Sequence, residues 1–103
     1  MKYLLVLQFP EDRFEDIESI VNIEEQIINI LGSAAAVDGH DYGSDQVNVF
    51  IYASEPEITF EKTKQVLANA GLLKATTAAY READGEKYIV IWPEGAKQNF
   101  KIK

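Results

Sequence analysis

The sequence predicts a small α+β domain, and three observations predict it. Two amphipathic helical stretches alternate with five strand-like runs in the order β-α-β-β-α-β-β. The first and third of those runs are apolar at both odd and even positions, the pattern of strands covered on both faces. At 103 residues and 47% hydrophobic content, residues 1–103 read as one domain with enough apolar material for a core.

Each element has its own warrant. Tyr3 to Phe9 is a short apolar run closed by Pro10, a buried strand. Glu11, Asp12, Glu15 and Asp16 then place negative charge where a helix start favours it. Phe14, Ile17, Ile20, Val21, Ile27, Ile28 and Leu31 recur at helical spacing, and Gly32 supplies the stop. Residues 34–38 form a weaker strand leading into a turn-rich loop, Asp38 to Asp45, with glycines at 39 and 43. Val47 to Ala53, rich in β-branched and aromatic residues, completes a hairpin.

The second helix opens at Ser54 and Glu57, which have capping-box spacing, with Pro56 in the first turn and Thr59 as a competing cap. It turns Phe60, Thr63, Val66, Leu67 and Ala70 inward and stops at Gly71. Residues 75–83 and 86–92 flank Asp84-Gly85, a hairpin signal. Asn99 to Lys103 could add a short frayed strand.

The series β-α-β-β-α-β is the ferredoxin-like motif, so the expected fold is a ferredoxin-like sandwich: an antiparallel sheet with two helices on one face and an extra C-terminal strand. Its usual strand order, 4-1-3-2, puts the first and third strands inside. The second and fourth are small and polar, as edges tend to be. The fifth, Tyr88 to Trp92, is too apolar for an open edge, and a covering by the C-terminal tail or another subunit is expected.

Bulk properties exclude several functions. The chain has no cysteine, which removes disulfide frameworks, thiolate metal centres and thiol nucleophiles, and fits a reducing compartment. Net charge is −7, and the ten basic residues are scattered, with only Lys97, Lys101 and Lys103 loosely grouped. Nucleic acid and anionic membrane are therefore not expected partners, whereas a basic protein is permitted. No run has the length of a membrane span or the layout of a signal peptide, so the cytoplasm is the expected compartment.

Two places could carry function. On the third strand Val47, Val49 and Ile51 share the face that suits the helices, leaving Phe50 and Tyr52 on the other. Tyr80 and Trp92 are expected to join them in an aromatic patch on the open face. Such a patch is buried under the tail or hairpin, lines a ligand pocket, or forms a homodimer seam; the seam is the preferred reading. The second place is the loop holding His40, the only histidine, beside Asp41. Any imidazole acid–base chemistry must run through His40, but the aspartate spacing matches no calcium loop and turn chemistry accounts for each residue. The carboxylates from Glu11 to Glu25 read as a solvated helix face. No nucleophile elbow, phosphate loop or dinucleotide fingerprint is present, so no catalytic residue, cofactor or metal is expected.

The stretch from Asp38-Gly39 through Gly43-Ser44 into Val47-Asn48-Val49-Phe50-Ile51 resembles the central hairpin of short uncharacterised ferredoxin-like proteins. That resemblance implies a fold and no activity. In layout the chain is also similar to dimeric α+β-barrel proteins, some of them enzymes, and to ACT-type domains, which bind small metabolites between subunits. The preferred expectation is a non-catalytic interaction module, self-associating through the open face and able to bind a protein or small molecule. The alternatives are a small α+β-barrel-type enzyme using His40, and an acidic inhibitor or immunity protein for a basic partner.

Overall fold

The computed structural model describes residues 1–96 and 100–102. It is an α+β fold with one five-stranded antiparallel sheet and two α-helices. In chain order the elements are β1 (Tyr3–Pro10), α1 (Ile17–Leu31), β2 (Ala35–Tyr42), β3 (Gln46–Ala53), α2 (Pro56–Asn69), β4 (Thr77–Glu82) and β5 (Ile89–Trp92). The strands lie in the order β2-β3-β1-β4-β5. β1 is at the centre, and β2 and β5 are the edges. β4, read as an edge from its small residues, is interior because β5 pairs along its outer side.

The core forms between the sheet and the helices. Leu5, Leu7 and Phe9 of β1 and Val49, Ile51 and Ala53 of β3 pack with Ile23, Ile27 and Leu31 of α1 and Phe60, Val66 and Leu67 of α2. Alternation along each strand sends Leu4, Val6, Phe50 and Tyr52 to the opposite, helix-free face. Leu4, Val6 and Ala79 are nonetheless buried there.

Local chemistry explains the helix ends. Asp16, whose carboxylate accepts from the Ser19 backbone N–H and hydroxyl at 2.9 Å each, caps α1. The expected Phe14 start is displaced because residues 11–13 form a separate 3-10 turn. At α2 the capping box does not form: Glu55 is the N-cap without a side-chain bond, and Pro56 occupies the first turn. Ala70, expected inward, is exposed.

The largest departure is in the first hairpin. β2 continues to Tyr42, past the expected end at residue 38, so His40 and Asp41 lie in a strand. A register shift between Val37 and Gly39 accommodates Asp38, and Gly39 takes φ +136°, which a side-chain-bearing residue adopts only under strain. The turn is confined to residues 43–45, closed by the Gly43 N–H donating to the Gln46 carbonyl at 2.9 Å, with Asp45 left-handed at φ 62°. The strand proposed for Asn99–Lys103 falls partly outside the described residues, as do Lys97 and Lys103; residues 100–102 carry no strand.

Candidate functional site

The structure divides the expected aromatic patch. Phe50 and Tyr52 are on the helix-free face, paired with Val6 and Leu4, and both are partly exposed. Tyr80 and Trp92 are on the helix side, which corrects their expected placement. Tyr80 pairs with Leu5 and meets Tyr3 edge to face. Trp92 packs against Phe60, donates its indole N–H to the Leu73 carbonyl at 3.1 Å, and lies 4.6 Å beneath the Lys64 ammonium. The register shift between Ala78 and Ala79 breaks the parity by which β5 would otherwise be assigned.

The Tyr80 hydroxyl donates to the Glu57 carboxylate at 3.4 Å. Burial raises its pKa above the ordinary 10.0, and the Glu57 charge and hydrogen bond add to the effect. A phenol whose folded pKa is raised contributes stability that is present below about pH 10 and lost as pH rises through the folded value. Tyr80→Phe should therefore reduce the fall in urea midpoint between about pH 9 and pH 11; an unchanged alkaline decline would remove Tyr80 as its source.

His40 and Asp41 separate as neighbours in a strand must. Asp41 pairs with Asn48 and is exposed toward the helix-free face. His40 pairs with Val49 on the helix side, where its Nδ1 lies 2.6 Å from Glu24 Oε1 on α1. Glu24 is itself buried, a correction to the reading of all these carboxylates as solvated. With Tyr42 edge to face on His40, the pair ties α1 to the β2 edge. A carboxylate that orients an imidazole is one half of an acid–base arrangement. Among the described residues, no cluster of three or more acidic, histidine or cysteine side chains could hold a metal.

A third constellation was not anticipated. On the helix-free face Gln8 Nε2 donates to Gln46 Oε1 at 2.9 Å, Asn48 Oδ1 at 3.0 Å and the Lys101 backbone carbonyl at 3.0 Å, while Asn48 Nδ2 donates to Gln46 Oε1 at 3.2 Å. Two amide hydrogens on Gln8 thus serve three acceptors. Asn48 is fully buried. The tail is held a second time by Phe100, whose ring centroid is 4.8 Å from that of Tyr88. Tyr88 also receives the Arg81 Nε–H at 3.3 Å. The described tail residues therefore lie on the helix-free face; the covering expected for the fifth strand is not seen among the described residues, where β5 is an edge and Ile89 is exposed. The available signal was Gln8 itself, a polar residue inside an otherwise apolar run.

Comparison of the chain with protein-family models, with curated proteins and with solved structures finds no match. No helix among the described residues is long and apolar enough to cross a membrane.

Proposed function

We propose that this chain is a non-catalytic binding module on a ferredoxin-like framework, and that it self-associates through the helix-free face of its sheet. The framework reading is supported by the strand order: from the β5 side inward, the first four strands run β4-β1-β3-β2. One observation carries the binding reading. Phe50 and Tyr52 stand at alternate positions on a face that bears no helix, partly exposed even with the tail in place, over the buried Leu4 and Val6. Ala36 and Gly39, their β2 neighbours, are too small to cover them. Flat aromatic surface on a rigid sheet favours docking, because two-torsion side chains lose little freedom on contact.

Sedimentation velocity tests this. The wild-type chain should show a concentration-dependent dimer at micromolar concentration. Phe50→Ser combined with Tyr52→Ser should leave a monomer with unchanged far-ultraviolet circular dichroism. A wild-type chain that stays strictly monomeric would remove the self-association reading.

A further inference from the structure

Helix α1 carries more apolar surface than the core uses. Ile20, Ile23, Ile27 and Leu31 are buried, whereas Ile17 is 59%, Val21 37% and Ile28 48% exposed. At 3.6 residues per turn those last three positions fall within about 40° of one another, a single outward stripe. Glu24 sits on the same side of the helix, and its bond to His40 shows that this side borders the edge strand β2. The stripe is therefore a shoulder above the β2 edge.

The charged residues that line the shoulder around Ile17 and Val21 carry one sign. Residues 14–61, which include α1, β2 and β3, contain eleven of the chain's 17 acidic residues and no lysine or arginine. Ile17 and Val21 share a shallow depression with Asp16, Glu18 and Glu25. Asp38 is exposed in the β2 bulge. A second copy of this chain would bring the same carboxylates against themselves, and like charge facing like charge opposes association. A partner with apolar residues flanked by lysine or arginine would meet both features.

We infer that the Ile17–Val21–Ile28 shoulder of α1 is a docking surface for a basic amphipathic helix of another protein. The apolar stripe sets the contact, and the surrounding carboxylates select the partner's charge and speed its approach. This surface is separate from the Phe50–Tyr52 face, so either can fail without the other.

The probe is a helical peptide of leucine and lysine, about 18 residues or five turns long, with leucines at positions i, i+3, i+4 and i+7. Its control is a scrambled isomer of identical composition. Titration calorimetry on the full chain should find the face-segregated peptide bound at least about tenfold more tightly than the isomer. Raising salt to about 0.5 M should weaken it. Ile17→Ser, Val21→Ser and Ile28→Ser together should abolish the preference, with unchanged circular dichroism because all three side chains are exposed. Phe50→Ser with Tyr52→Ser should leave it intact. Equal affinity for the two peptides overturns the proposal, as does a preference that survives the triple substitution. So does a wild-type dimer that the triple substitution dissolves, since the shoulder would then be a seam between copies.

Discussion

Leu5→Ala should lower the unfolding free energy by about 2–5 kcal/mol, the range for emptying a well-packed core position. Leu5 has no solvent exposure, sits in the central strand, and lies in register between Ile51 and Tyr80. Both neighbouring strands flank Leu5 within the core cluster that the helices share, so little collapse can refill the space. Urea denaturation should show a lower midpoint with an unchanged slope, the signature of altered stability alone. Ile17→Ala, which trims an isoleucine from the exposed shoulder, should move the midpoint far less. Equal losses at the two positions would contradict the burial that separates them.

Asn48→Leu should cost about 1–3 kcal/mol, although leucine is apolar and the site is buried. The replacement removes the acceptor for one Gln8 bond and the donor to Gln46 Oε1. Gln8 and Gln46 keep each other, but the network loses its fully buried member. Thermal unfolding should register the change as a fall of about 4–8 °C per kcal/mol for a chain of this size. A raised melting temperature would mean that apolar packing outweighs the amide bonds at this position.

How much of this was legible beforehand depended on whether neighbouring residues differ in kind. β1 and β3 were readable because each is apolar at both parities over most of its length, and their turn and helix neighbours are chemically unlike them. Phe50 and Tyr52 were assigned to the helix-free face because Val47, Val49 and Ile51 make the alternation plain. In β4 that contrast is missing: Ala78 and Ala79 are adjacent, alike and both fully buried, so no parity could be read for Tyr80. The bulge that follows shifted Trp92 as well.

Long-range pairing was the other obstacle. His40 looked like a loop residue because Asp38, Gly39 and Asp41 are turn formers, and pairing with seven residues of β3 overrode them. Glu24 sits among exposed carboxylates in sequence, and only the approach of β2 in space gives it a partner. The same holds for Gln8 and Lys101, which lie at opposite ends of the chain and are joined by one amide.

The two borders of the sheet are unlike each other, yet both resist main-chain templating. On one side Asp38 and the Gly39 kink interrupt the row of peptide groups that an incoming chain would need to copy. On the other, β5 offers only four residues, Ile89–Trp92. A cross-β fibril grows by repeating an uninterrupted stretch of backbone, and neither border supplies one. A partner for this sheet would thereby have to be met by side chains, whose chemistry can discriminate as a bare peptide row cannot.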